Sequence, residues 1–168
     1  MPSSPARPPS IWTAPTVRRI VRGDSGLAQI ELWTTVAGSA QIITGGVATI
    51  PRYPPLAAGG PGRYSNEKSW YDVPTARTIA GLDRQGKTLI LATVDNAAGS
   101  HGLAVGEAAE LLIRDYQVWE ALNLDGGGST TIAIEDPQTH AGRILNTPSG
   151  AGRARAVGSS LAVFARPN

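Results

Sequence analysis

The sequence predicts an α+β fold that combines a mixed or antiparallel sheet of short strands with one main helix and long irregular loops. The chain of 168 residues contains 20 glycines and 13 prolines, a composition typical of many turns that argues against a helical bundle. One segment near residue 110 has helical periodicity, whereas most other apolar runs have the length of a strand. The hydrophobic content of 41% is compatible with a buried core.

The N-terminal part of the chain carries the least regular pattern. Residues 1–16 are rich in proline and predict a disordered arm, which leaves residues 17–168 as a single domain. Residues 51–75 predict a long irregular loop, and loops of this length are generally functional or mobile. The strands predicted in this part are Val17–Arg22, Leu27–Thr34 and Gln41–Thr44, the last ended by Gly45 and Gly46.

The C-terminal part has a clearer pattern of elements. Arg77–Leu82 and Lys87–Asp95 predict a hairpin around a turn at residues 83–86. Apolar residues at helical spacing from Val105 to Trp119 predict a helix over about residues 104–117. The remaining predicted strands are Ala121–Leu124, Thr130–Ile134 and Val157–Ala165.

Charge and composition exclude several classes of protein. The formal net charge is +2 and no basic stripe is interleaved with aromatic residues, so nucleic acid is not an expected partner. The absence of cysteine excludes disulfide scaffolds, thiol catalysis and thiolate metal sites. No apolar run has the length of a membrane span, and the first ten residues lack the apolar core of a secretory signal.

The strongest local motif is the segment from Asn123 to Thr131, in which Asp125 is followed by three glycines and three hydroxyl residues. Successive glycines can turn their N–H groups into one concavity that holds an anion such as phosphate, and the aspartate can act beside it as an acid, a base or a metal ligand. A tight turn between two strands explains the same composition about equally well. The motif is neither a Walker loop nor a dinucleotide-binding fingerprint.

Two further charged residues are candidates for chemistry. Asp95 ends an apolar strand, where catalytic groups are often found, although it could equally cap the following turn. Arg77 begins another strand and could hold a phosphate or pair with Asp83 or Asp95. His101 and His140 are interpreted as surface residues.

In their order and spacing, several segments resemble the phosphodiester glycosidase family. The upstream Gly45-Gly46 also resembles a Gly-Gly segment of that family, and the likeness covers roughly residues 33 to 165. The matching segments are ARTIAG (76–81), TVDN (93–96), GLAVGEAAELL (102–112), ALNLDGGGSTT (121–131), LNTPSG (145–150) and RARAVGSSL (153–161).

The resemblance implies hydrolysis of a sugar-1-phosphodiester, which releases the sugar and leaves a phosphomonoester. In the animal member the sugar is N-acetylglucosamine, and bacterial and phage relatives are expected to act on other sugar phosphodiesters in envelopes or polysaccharides, so the expected partner is a sugar-phosphate or polysaccharide substrate. The implied catalytic residues are Asp125, Asp95 and Arg77. The implied substrate-binding residues are Asn123, Gly126, Gly127, Gly128, Ser129, Gly45, Gly46 and Arg155.

The resemblance implies no cofactor, and it leaves open a divalent cation such as calcium or magnesium. The family is mostly extracytoplasmic. This chain departs from the family pattern at Ala97, Ala104, Ala154 and Ser159, and because its one phenylalanine is Phe164, it cannot carry the family's Asn-Gly-Gly-Phe-Phe type motif. Two alternatives therefore remain beside the enzyme: a pseudoenzyme that binds a sugar phosphate, and a half-domain that needs a complementing N-terminal segment or self-association.

Overall fold

The computed structural model describes residues 36–53, 65–150 and 152–164. The predicted arm over residues 1–16 and the predicted strands Val17–Arg22 and Leu27–Thr34 lie outside these ranges. The described elements are β1 (Ala40–Thr44), β2 (Val47–Ala48), β3 (Arg77–Leu82), β4 (Leu89–Val94), α1 (Val105–Tyr116), β5 (Glu120–Asn123), β6 (Ala133–Glu135) and β7 (Gly142–Ile144), with a 3₁₀ turn at Gly127–Ser129.

Five strands form a sheet in the order β2-β1-β5-β3-β4, and every neighbouring pair in it is antiparallel. Strands β6 and β7 form a separate antiparallel pair. The predicted α+β class is confirmed, in its antiparallel form. The predicted hairpin of β3 and β4 is also present, because the turn at residues 83–86 allows six consecutive residues of each strand to pair.

Helix α1 packs on one face of the sheet and closes the apolar core. Val105, Ala109 and Leu112 lie on its buried stripe, against residues such as Ile79 and Ala121 on the strands. Burial of an aliphatic side chain of this size contributes about 1.5–3 kcal/mol. The antiparallel register of β3, β4 and β5 brings the carboxyl ends of β4 and β5 beside the start of β3, and these strand ends position the candidate site.

The helix predicted over about residues 104–117 is confirmed, but its apolar stripe does not extend to Trp119, and the final predicted strand is absent among its described residues. The helix ends at Tyr116, which is 60% exposed, because Gln117 adopts a left-handed conformation with φ of 53° and directs the chain into β5. Trp119 is therefore not on the helix. The final predicted strand is also not formed: residues 157–164 pair with no strand among the described residues, and Phe164 is 75% exposed. An apolar run specifies a strand only when a neighbouring edge satisfies its backbone groups.

Candidate active site

Strand register brings the predicted carboxylates to one edge of the sheet. Both β4 and β5 run antiparallel to β3, so the carboxyl ends of β4 and β5 lie beside the start of β3. Arg77 pairs with Val94 and Ile79 pairs with Asn123. Asp95 and the Asp125–Ser129 loop, which follow those two strand ends, therefore belong to the same edge.

The glycine loop is anchored to the residue before β3. The N–H of Gly127 donates to the carbonyl of Ala76 at 2.8 Å, and Gly127 has a left-handed φ of 57° that favours glycine. At Gly126 a Cβ atom would lie 2.6 Å from the same carbonyl oxygen. Two successive glycines are therefore required for different reasons, one by conformation and one by close approach of the two backbones.

Most backbone N–H groups of this loop are already bonded within the chain. Gly126 donates to Oδ1 of Asp125 at 2.9 Å, Ser129 to the carbonyl of Gly126 at 3.1 Å, and Thr130 to the carbonyl of Gly127 at 3.1 Å. Within the described residues, the amide of Gly128 has no such acceptor. Of the three glycine amides of the predicted nest, only that of Gly128 is without an acceptor in the described part of the chain.

On the exposed side of the loop, the side chain of Arg155 contacts the hydroxyl of Ser129 and the carboxylate of Asp125. Nε and Nη2 of Arg155 both donate to Oγ of Ser129, at 3.1 and 2.5 Å, and Nη2 lies 3.7 Å from Oδ2 of Asp125. The side chains of Arg155 and Asp125 are 61% and 78% exposed. Because Oγ of Ser129 accepts both bonds, its own proton remains available to an incoming anion.

Asp95 is half-buried and firmly held at the end of β4. Its Oδ1 accepts from Nδ2 of Asn146 at 2.8 Å, and its Oδ2 accepts from the N–H of Thr147 at 2.7 Å. Each carboxylate oxygen has a second lone pair, so Asp95 retains capacity to accept from water or substrate. Sequence reasoning did not select Asn146, and its only signal was membership of the LNTPSG segment.

Arg77 is placed differently from the other candidates. It is 4% exposed, and its Nε and Nη2 donate to the carbonyls of Leu103, Trp70 and Val73 at 2.9, 2.6 and 2.5 Å. Burial lowers the pKa of Arg77 from its ordinary value. This geometry favours a role in fixing the segment before β3, and contact with a phosphate stays a prediction.

Asn123 is also buried, with 5% of its surface exposed. Its Nδ2 donates to Oγ of Ser39 at 2.8 Å and to the carbonyl of Leu124 at 3.2 Å. Its Oδ1 has no hydrogen-bond partner among the described residues. Asn123 ties the end of β5 to the residue before β1, and its predicted contact with a sugar hydroxyl remains untested.

Gly45 and Gly46 lie at the opposite edge of the sheet. They form the turn between β1 and β2, where Gly45 donates to Oε1 of Glu120 at 3.0 Å and Gly46 to the carbonyl of Trp119 at 2.9 Å. Glu120 begins β5 and Asn123 ends it, a separation of about 10 Å along the strand. The structure does not bring this turn together with Asp125.

Other features of the described residues lie apart from this edge. A groove of about 290 Å³ between β4 and α1 is lined largely by apolar side chains such as Ile90, Leu103 and Leu111, so it does not suit a sugar phosphate. No cluster of three or more potential metal ligands occurs in the described ranges. None of the described helices has the length and apolarity needed to cross a membrane.

Comparison with known proteins gives a consistent result. A sequence profile of the phosphodiester glycosidase family matches residues 20–164. Over 63 residues, or 38% of this chain, the sequence is 46% identical to the mouse N-acetylglucosamine-1-phosphodiester alpha-N-acetylglucosaminidase and 41% identical to the human protein of the same name. The matched segment spans 12% of the length of each of these relatives.

Solved structures are similar to parts of the chain. The catalytic domain of zebrafish N-acetylglucosamine-1-phosphodiester alpha-N-acetylglucosaminidase is 24% identical, with a TM-score of 0.49, over 73% of this chain and 39% of that one. A hypothetical protein from Synechocystis is 30% identical, with a TM-score of 0.39, over 55% of this chain and 15% of that one.

Proposed function

Because the chain belongs to the phosphodiester glycosidase family, a family of hydrolases, we propose that it hydrolyses a sugar-1-phosphodiester at the bond between the sugar and the phosphate. Water adds to the anomeric carbon, the bond from that carbon to the phosphate oxygen breaks, and a free sugar and a phosphomonoester leave. The observation that carries the proposal is the group that Asp125 and Ser129 of the glycine loop form with the exposed Arg155.

The phosphate is bound by this group. The guanidinium of Arg155 supplies the positive charge, and the hydroxyl of Ser129 and the amide of Gly128 supply two neutral donors. The leaving phosphate needs little protonation, so stabilisation of its negative charge contributes more than a strong general acid. Arg77 stabilises the glycine loop indirectly, because it holds the segment before Ala76, to which Gly127 is hydrogen-bonded.

The two carboxylates act near the anomeric carbon. Asp125 is exposed and lies next to the proposed phosphate position, whereas Asp95 is held by Asn146 and Thr147. One of them activates the attacking water and the other stabilises the positive charge that develops on the sugar ring. N-acetylglucosamine is the sugar to test first, because the mouse and human relatives are named for it.

Hydrolysis of sugar-1-phosphate methyl esters by the purified chain in H₂¹⁸O tests the proposal. We expect free sugar to appear together with methyl phosphate that contains no ¹⁸O, because the bond from sugar to oxygen is the one that breaks and the phosphate keeps all its oxygens. Asp125→Asn should abolish turnover with an unchanged melting temperature. Asp115→Asn, which removes another exposed carboxylate, should leave turnover intact.

Three results would contradict the proposal. Label in the phosphate would indicate a phosphodiesterase. Turnover that persists in Asp125→Asn would remove this carboxylate from the chemistry. A folded wild-type chain that is stabilised by N-acetylglucosamine 1-phosphate without any turnover would favour the sugar-phosphate-binding pseudoenzyme.

A further inference from the structure

Asn146 uses its whole side-chain amide to connect two parts of the candidate site. Its Nδ2 donates to Oδ1 of Asp95 at 2.8 Å and to the carbonyl of Thr130 at 3.1 Å. Its Oδ1 accepts from the N–H of Ile132 at 2.9 Å. The amide plane therefore bridges the end of β4 and the segment that leaves the glycine loop.

The position of Thr130 makes this bridge relevant to the chemistry. Thr130 is fully buried, directly follows Ser129, and donates its N–H to the carbonyl of Gly127 at 3.1 Å. Its hydroxyl also accepts from that of Thr78 on β3 at 3.3 Å. A displacement of Thr130 would therefore move the glycine loop relative to the sheet and to Asp95.

We infer that Asn146 is a positioning residue that sets the placement of Asp95 relative to the glycine loop that carries Asp125, an inference that rests on the proposed function. In glycoside hydrolysis the separation of two carboxylates decides whether a water fits between one of them and the sugar. Asn146 touches neither water nor substrate in this role. It acts through the orientation of Asp95.

The chemistry of the amide explains why asparagine is needed at this position. Asp95 and Thr130 both present acceptors to Nδ2, while Ile132 presents a donor to Oδ1. An aspartate of the same shape would keep the bond to Ile132 but would place a negative oxygen against two acceptors. Asn146→Asp therefore removes the bridge with almost no change in side-chain volume.

Kinetics on a sugar-1-phosphodiester provide the first test, with Asn96→Asp as a matched control. Asn96 directly follows Asp95, is exposed, and makes no side-chain hydrogen bond with the described residues. We expect Asn146→Asp to lower kcat by about 10- to 100-fold with KM changed less than about threefold, because misplacement of a reacting group costs rate more than binding. Asn96→Asp should change both constants by less than about twofold.

The double variant Asp95→Asn with Asn146→Asp tests whether a hydrogen bond between residues 95 and 146 is sufficient for turnover when the carboxylate no longer lies at residue 95. It exchanges donor and acceptor and restores one hydrogen bond between residues 95 and 146, but it moves the carboxylate onto the other segment. We expect the melting temperature lost in Asn146→Asp to recover in part, and kcat to stay low. Recovery of both would show that a carboxylate is not required at residue 95 and would overturn the inference, which acts through that carboxylate.

Amide hydrogen exchange provides a test that needs no turnover. In Asn146→Asp, exchange at Thr147 and at residues 126–130 should accelerate together, because both segments lose their common anchor. Unchanged exchange in residues 126–130 would overturn the inference, even if Thr147 alone becomes labile. If the wild-type chain turns over no substrate, the proposed function fails, while the exchange result still decides whether Asn146 couples the two segments.

Discussion

Replacement of Gly126 by alanine should destabilise the protein through one steric contact. The backbone at Gly126 is extended, with φ of −125°, so alanine meets no conformational penalty there. Its Cβ would, however, lie 2.6 Å from the carbonyl oxygen of Ala76, and that oxygen belongs to the backbone and cannot rotate away. Relief of the clash must separate the loop from Ala76, which stretches the 2.8 Å bond from Gly127 to the same oxygen.

The size of the effect follows from these two contacts. Overpacking of a close interior contact costs about 1–3 kcal/mol, and a weakened backbone hydrogen bond adds about 1 kcal/mol. We therefore expect Gly126→Ala to lower the free energy of unfolding by about 3 kcal/mol. For a chain of this length, that corresponds to a fall in melting temperature of roughly 6–12 °C.

Chemical denaturation and thermal unfolding of Gly126→Ala, with Gly128→Ala as the control, measure this difference. A Cβ at residue 128 would lie 3.5 Å from Cδ of Arg155, which is an ordinary contact with a flexible side chain. The control should stay within about 0.5 kcal/mol of the wild type. Equal stability of the two variants would refute the close approach of the glycine loop to Ala76.

Two other substitutions concern Arg77 and Gly46, which the sequence predicts to bind substrate and which the structure places in contacts within the protein. Arg77→Lys should lower the free energy of unfolding by about 2–4 kcal/mol, because an ammonium group cannot reach all three carbonyls bonded by the guanidinium. Urea denaturation measures this loss. A raised KM at unchanged stability would instead support phosphate binding by Arg77. Gly46→Ala should cost about 2–3 kcal/mol, because φ is 75° and the new Cβ would lie 2.8 Å from the Trp119 ring. The KM of the Gly46→Ala variant should equal that of the wild type. A raised KM in a stable variant would instead support the predicted role of Gly46 in substrate binding.

The fold was largely predictable wherever local pattern and pairing agree. The helix predicted over about 104–117 is observed at Val105–Tyr116, and β3 has the predicted bounds, because alternation and a tight turn both specify it. The predicted strand Thr130–Ile134 is shifted to Ala133–Glu135, where it pairs with the unpredicted β7. Residues 142–144 are polar or exposed, so their strand depends on the partner rather than on their own pattern.

The sequence indicated candidate residues for the site but not the orientation of their side chains. The sequence selected Asp95, Asp125 and Arg155 as candidates. The antiparallel register brings the strand ends before Asp95 and Asp125 to one edge, whereas Arg155 reaches this edge through its contacts with the glycine loop. The sequence could not indicate that Arg77 points inward, because a strand residue faces the core or the solvent according to pairing. Nor could it select Asn146, whose role depends on three partners between 14 and 51 residues away.

The hydrogen bonds closed within the glycine loop have a thermodynamic consequence. The loop holds its shape before any ligand arrives, so association does not have to freeze a mobile backbone, a step that costs about 1–2 kcal/mol per residue. Its conformation is also costly to adjust, because a change would break bonds to Ala76 and within the turn. Under the proposed function, differences in affinity among phosphorylated sugars should therefore reflect how well each one fits the preformed loop, with little contribution from remodelling of the protein.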